Sequence, residues 1–177
     1  MAEDFEIIKG CKANDSNCQR QLLESYSGYL AAIIKRYYPY SDNFQDVLQE
    51  TWIQIFKNIG KYKEEGKLKA WLTQIAISQC FRELRKSKRI QYVDKLPDKQ
   101  YCKEVAVSAL NYKDLMMMVN QLKNPGRNVF VMHIIDGLSH KEIAEILQIK
   151  ESTSRVHLTN ARKKLKEILK MTSAISL

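Results

Sequence analysis

Residues 137–170 read GLSHKEIAEILQIKESTSRVHLTNARKKLKEILK, and this stretch decides the fold. Ser139 and Glu142 stand three apart ahead of an apolar run. That is the spacing of a capping box, in which the Ser side chain takes a first-turn N–H and the Glu side chain returns to the Ser N–H. The short helix it starts, His140 to about Leu147, is predicted to bury Ile143, Ala144 and Leu147. Ala144 is small where a second helix must cross closely. After Gln148, Ile149, Lys150 and Glu151, a longer helix is predicted from Ser152 to about Lys170, with Ser154, Leu158, Ala161, Leu165, Ile168 and Leu169 on one stripe. On a 3.6-residue wheel the opposite face holds Ser152, Val156, Thr159 and Lys163, flanked by Arg155, Asn160 and Arg162. Short side chains let a helix backbone enter the major groove, where Arg reads guanine and Lys and Arg hold phosphates. A solvated basic helix packed on its neighbours would carry the same charges. The order of short helix, tight turn and long helix favours a DNA-binding helix-turn-helix.

Upstream, only six Gly and three Pro punctuate 177 residues, and apolar residues recur at three and four almost everywhere, an all-helical pattern. The first long helix is predicted from about Cys18 to Tyr38, with Leu22, Leu23, Tyr26, Leu30, Ile33, Ile34 and Tyr37 inward. Pro39, Ser41, Asp42 and Asn43 end it and offer a new cap. A second helix, about Phe44 to Ile59, is predicted to bury Leu48, Trp52, Ile55, Phe56 and Ile59. A polar loop over residues 60–67 follows, bracketed by Gly60 and Gly66. A third helix runs from Leu68 to about Lys88 on a stripe of Leu68, Trp71, Leu72, Ile75, Ala76 and Leu84, and its last turns are basic.

From Ile90 to about Lys103 the periodicity is lost, which marks a linker too long for a loop inside one compact domain. A second helical unit is predicted from near Glu104 to about Lys123. Asn124 and Pro125 then read as a cap and a first helical position, and Gly137 as a left-handed C-cap. The expected architecture is all-α: two small helical domains, residues 1–92 and 112–177, joined by a flexible linker over 93–111, the second containing the helix-turn-helix.

The 29 Lys and Arg against 20 Asp and Glu leave a net charge of +9, which favours a polyanionic partner. No apolar run is long enough to span a bilayer, and the acidic start MAEDFE lacks the basic region of a signal peptide, so a cytoplasmic location is expected. Cys11, Cys18, Cys80 and Cys102 form no C-x-x-C pair, and His133, His140 and His157 lie far from them in sequence. No metal or cofactor is expected. Nor is an enzyme, because no acid cluster or nucleophile–base pair is evident.

Both halves resemble one family, the extracytoplasmic-function group of bacterial RNA polymerase sigma factors in the sigma-70 family. The stretch GLSHKEIAEIL followed by STSRVHLTNARKKLKEIL is similar to the promoter-recognising region 4. DNFQDVLQETWIQIF, KAWLTQIA and the basic run RELRKSKR are similar to region 2. The blocks come in family order and cover about residues 15–170. There are departures. Gln148 stands where the family usually has Gly, Lys150 where Ser is favoured as N-cap, and Ser78 and Arg82 where Asn and Asp are commonest. Pro125 lies two residues after the family's usual Leu-Pro position.

The resemblance implies a role for each block. Asp46, Gln49, Glu50, Ile53 and Lys57 would dock on the clamp helices of the polymerase largest subunit, though acids near a helix N-terminus are also favoured by its dipole alone. The loop with Lys61, Tyr62, Lys63 and Lys67 would capture a flipped base of the -10 element. Ser78 and Arg82 would contact that element, and Arg85, Lys86, Lys88 and Arg89 would hold phosphates; Trp71 is assigned to the core rather than to base stacking. Lys141, Ser152, Thr153, Arg155, Val156, Thr159, Asn160 and Lys163 would bind the -35 element, with Val156 against a thymine methyl. The implied function is that of an alternative sigma factor that binds core RNA polymerase and directs initiation from -35/-10 promoters. An anti-sigma partner, which could hold the protein at the inner membrane, is implied as well, and no small-molecule substrate. The alternative is a stand-alone dimeric helix-turn-helix regulator on a symmetric operator.

Overall fold

A computed structural model describes residues 2–37, 43–63, 66–86, 112–123 and 125–175. The chain divides into two compact units, Met1–Ser87 and Lys88–Leu177. The expected linker over 93–111, the helix start near Glu104, and Lys88 and Arg89 lie outside the described residues. Among those described there are helices and turns and no strand.

Among its described residues the first unit has four helices, α1 (Ala2–Lys12), α2 (Ser16–Tyr37), α3 (Phe44–Asn58) and α4 (Leu68–Lys86), with one 3-10 turn at Ile59–Lys61. Helix α1 was not legible in the apolar pattern, yet its junction carries clear local chemistry. Asn14 takes the left-handed conformation at φ 60°, and the Asp15 carboxylate then accepts from the N–H groups of Asn17 and Cys18 at 2.7 and 3.2 Å. That cap starts α2 at Ser16, two residues earlier than expected. Ile8 and Cys11 of α1 are buried, and the Tyr26 hydroxyl donates to Asp4 Oδ1 at 2.8 Å. Burial and that acceptor push the Tyr26 hydroxyl up to about 12.

Helix α2 buries six of its seven expected positions, whereas Leu23 is exposed. Helix α3 and its 3-10 extension bury the expected Trp52, Ile55 and Ile59, but Val47 and Thr51 take the other inward places and leave Leu48 and Phe56 only half-buried. Thr51 can lie inside because its hydroxyl donates to the Val47 carbonyl at 2.7 Å. In α4 the core takes Ile77, Cys80 and Phe81 besides Leu68, Leu72, Ala76 and Leu84, and leaves Trp71 and Ile75 half-buried. Phe81 meets Tyr37 edge-on at 5.8 Å, joining α4 to α2. Burial pushes the Cys11 and Cys80 thiols up to about 11 and about 12, so both stay protonated and unreactive near neutral pH.

The described part of the second unit starts with α5 (Tyr112–Val119), which ends four residues before the expected Lys123. Helix α6 (Gly126–Phe130) follows, continued by a π turn over Val131–Ile135. Pro125 is the residue before the helix, at φ −87° and ψ −4°, rather than its first member. Gly137 at φ 75° closes the π turn as expected of a left-handed position. Helices α7 (His140–Leu147) and α8 (Glu151–Ile175) complete the unit. Gly126 brings α6 within 3.6 Å of the Ala161 methyl carbon, measured from the position a Cβ would take.

Two backbone positions yield predictions. A Cβ at Gly10 would lie 2.2 Å from Cys18 Sγ and 2.8 Å from Cys18 Cβ. Gly10→Ala should therefore destabilise the first unit by about 1–3 kcal/mol, although Ala is the better helix former, as chemical denaturation will show. Gln148 sits at φ 57° and ψ 43° without a glycine's freedom. Gln148→Gly should raise the stability of the second unit by about 1 kcal/mol in the same assay.

Candidate functional site

The capping box at Ser139 is formed in full. The Ser139 Oγ accepts from the Glu142 N–H at 3.3 Å, and Glu142 Oε2 accepts from the Ser139 N–H at 2.7 Å. Helix α7 buries Ile143, Ala144 and Ile146, whereas the expected Leu147 is half-buried. Gln148 N–H and Ile149 N–H both reach the Ala144 carbonyl, which ends α7 tightly and turns the chain within three residues. The Lys150 carbonyl accepts the first bond of α8, from Ser154 N–H at 3.1 Å. Lys150 is therefore the N-cap, without a side-chain oxygen, and Ser152 lies inside the helix rather than capping it.

Ser154, Leu158, Ala161 and Leu165 of α8 are buried, and Ile168 and Leu169 are half-buried. The stripe fixes the rotation of the helix. Ser152, Arg155, Val156, Thr159, Asn160 and Lys163 are exposed as a consequence, and Thr153 is half-exposed. Val156 is 55% exposed, a large apolar side chain presented to solvent between polar neighbours. Arg155 Nη2 donates to Glu151 Oε1 at 2.5 Å, one turn toward the helix start, and Lys141 at the start of α7 is exposed.

The buried Ser154 hydroxyl is partnered by His140 Nδ1 at 2.9 Å, and the His140 ring stacks on His133 at 4.4 Å. His133 Nδ1 meets the Leu138 carbonyl at 2.8 Å. Partial burial first, then the neighbouring His133, Arg155 and Arg162, hold His140 below its ordinary value of 6.5, against the opposing pull of Glu151. These residues join the π turn, α7 and α8 behind the exposed face. The spacing of apolar positions does not mark them, since each His looks unremarkable until the helices cross.

In the first unit, Asp46, Gln49, Ile53 and Lys57 of α3 are exposed and Glu50 is half-exposed, accepting from Gln54 Nε2 at 2.9 Å. The five lie on the face opposite Val47, Thr51 and Ile55. Lys61, Lys63 and Lys67 are exposed around the loop, with Gly66 left-handed at φ 69°. Tyr62 departs from expectation: it is 5% exposed and lies inside against Trp71, ring centroids 5.1 Å apart. The aromatic ring expected to wall a base pocket is thus spent on packing. Ser78 is half-buried, Arg82 exposed one turn on, Arg85 half-exposed, and Lys86 exposed and paired with Glu83 at 3.1 Å. Among the described residues, no group of three or more His, Cys, Asp or Glu could hold a metal ion, and no helix is long and apolar enough to cross a membrane.

The chain matches the sigma-70 region 2 family over residues 22–90 and the sigma-70 region 4 family over residues 112–165. It is 24% identical to the ECF RNA polymerase sigma factor SigW of Bacillus subtilis, across 92% of this chain and 95% of that protein. Against the ECF RNA polymerase sigma-E factor of Escherichia coli K12 it is 22% identical over 90% of each. Among solved structures, CnrH in complex with the cytosolic domain of CnrY aligns with a TM-score of 0.56 at 18% identity, covering 95% of this chain and 97% of that one. The sigma factor RpoE of Bartonella quintana, in complex with the anti-sigma factor NepR, aligns at 0.55 and 22% identity, covering 85% and 96%.

The histidine pair predicts an acid sensitivity. Because the folded state holds His140 below 6.5, the unfolded chain takes up its proton first. Stability from this site is full above that ordinary value and is lost as the pH falls through it toward the lower folded one. Thermal melting of the second unit should drop between pH 7 and pH 5, and His140→Asn should flatten that part of the profile.

Proposed function

The chain belongs to the extracytoplasmic-function group of the sigma-70 family, and we propose that it works through three exposed surfaces of its two units. As a member it is an alternative sigma factor, binding core RNA polymerase and directing transcription initiation at promoter DNA. The sigma-70 family acts in initiation without being an enzyme, and the bond-forming chemistry is the polymerase's.

The docking surface is the α3 face of Asp46, Gln49, Glu50, Ile53 and Lys57. Exposed Ile53, with 38% of its surface in solvent, gives a polar face the apolar centre that protein interfaces use. The -10 surface comprises Lys61, Lys63 and Lys67 with Ser78, Arg82, Arg85, Lys86 and, beyond the described residues, Arg89. Cations at this density suit the backbone of a strand leaving the duplex. The -35 surface is the α8 face, where Arg155 has donors to spare for a guanine edge, Val156 offers an apolar contact, and Thr159 and Asn160 can hydrogen-bond to bases. Ser152, Thr153, Lys141 and Lys163 border it and suit phosphates.

The observation that carries the reading is the exposure of Arg155, Val156, Thr159 and Asn160 together, opposite the buried stripe of Ser154, Leu158, Ala161 and Leu165. CnrH and the Bartonella RpoE are each in complex with another protein, in the latter an anti-sigma factor. By extension this chain has an anti-sigma partner, and membrane tethering through that partner is part of the proposal.

Arg155→Ala should weaken -35-dependent promoter binding by about 1–3 kcal/mol and leave core polymerase affinity intact, measured by holoenzyme titration on promoter fragments. The double variant Asp46→Lys/Glu50→Lys should do the reverse. It should fold normally and lose co-purification with core polymerase. If it still assembles at wild-type affinity, the docking face is elsewhere.

A further inference from the structure

Several contacts hold Tyr62, and one of them reaches across the fold. Its N–H donates to the Ile59 carbonyl at 3.1 Å, and its ring lies against Trp71. Its own carbonyl accepts from Lys12 Nζ at 2.7 Å, although the two residues are 50 positions apart. The Lys12 ammonium also stands 6.0 Å from the Tyr62 ring centroid. At the far end of the loop, the Lys67 carbonyl accepts from the Trp71 N–H at 3.0 Å. The loop is therefore closed at its root by Tyr62 on Trp71, and its basic side chains stand outside.

A carbonyl held by an ammonium is a charge-assisted bond, stronger than one between neutral groups. Fixing the Tyr62 carbonyl fixes the plane of the peptide that leads to Lys63, and hence the direction in which the loop departs. Neither the ring stack nor the N–H bond does this, because both leave the ψ angle of Tyr62 free. Lys12 closes α1, so the last residue of that helix sets the heading of a loop that lies far along the chain.

We propose that Lys12 is a positioning residue for promoter opening, aiming Lys63 at the departing strand through the Tyr62 carbonyl. The inference rests on the -10 reading of the loop given above. Lys12 itself touches no DNA in this account.

The test uses the full chain assembled with bacterial core RNA polymerase on a promoter selected with the wild-type holoenzyme. Core affinity, thermal stability and the rate of strand opening, followed by the reactivity of unpaired thymines, are measured for four proteins. These are the wild type, Lys12→Met, Lys12→Arg, and a loop variant with Lys61, Lys63 and Lys67 all changed to Ala. Lys12→Met should slow opening by roughly tenfold, the lower end of the scale of one lost hydrogen bond to a charged group, with core affinity within about twofold. Lys12→Arg keeps the charge and the donors and should restore most of the rate. If the loop variant slows opening but Lys12→Met does not, the positioning role is wrong. If the loop variant opens at the wild-type rate, the -10 reading of the loop fails and the inference goes with it. A Lys12→Met protein that loses stability and core affinity in step with opening would make Lys12 a structural residue only.

Discussion

Burial of Ser154, Leu158, Ala161 and Leu165 along one side of α8 is the constraint on which the second unit depends. Once those four positions are spent on the core, the 3.6-residue period leaves no freedom in what the other side presents. Three of the four are apolar and need only close packing, which Gly126 permits at Ala161 by being small. Ser154 is different, because a buried hydroxyl without a partner would cost on the order of 1–3 kcal/mol. His140 meets that need from the first position of α7, so the hydrogen bond that satisfies the core also fixes the two helices against each other. The rigidity of the exposed face is a by-product of how its back is packed.

The first unit applies the same rule to two helices at once. Helix α3 uses Val47, Thr51 and Ile55 inward and leaves its acids and Ile53 outward, while α4 turns Arg82 and Lys86 outward from a core of Leu72, Ala76 and Cys80. Aromatic packing fixes the loop between them, with Tyr62 and Trp71 acting as a clasp. Charge outside and rings inside is a workable division. Cations that must follow a mobile strand gain from exposure, while the segment carrying them gains from a buried root.

How much of this could be read from the sequence follows from the range of each interaction. The capping box, the α8 stripe and the outward face of α3 are local, set by residues within a few turns, and they were legible. The membership of the buried side of α3 was legible only in part, with Trp52 and Ile55 inside as expected, because Thr51 looks polar until its hydroxyl is seen bonded to Val47, and the larger Leu48 and Phe56 look like the better core. Helix α1 is hidden for a related reason: among its described side chains only Ile8 and Cys11 are buried apolar residues, too few to make a stripe. Its boundary lies in the local chemistry of Asn14 and Asp15, which no apolar period marks. The burial of Tyr62 depends on Trp71 and Lys12, neither a near neighbour in sequence, and no periodicity encodes it. The π turn and the stacked histidines likewise exist only once α6, α7 and α8 have met.

The most direct measurement of the central claim is run-off transcription by core polymerase reconstituted with this chain on a library of random duplex templates, with the initiated templates sequenced. The account predicts initiation that depends on the added chain and on two separated, non-palindromic elements upstream of the start site. Transcription that ignores the chain, together with tight binding of a dimer to a symmetric operator in the absence of polymerase, would contradict it.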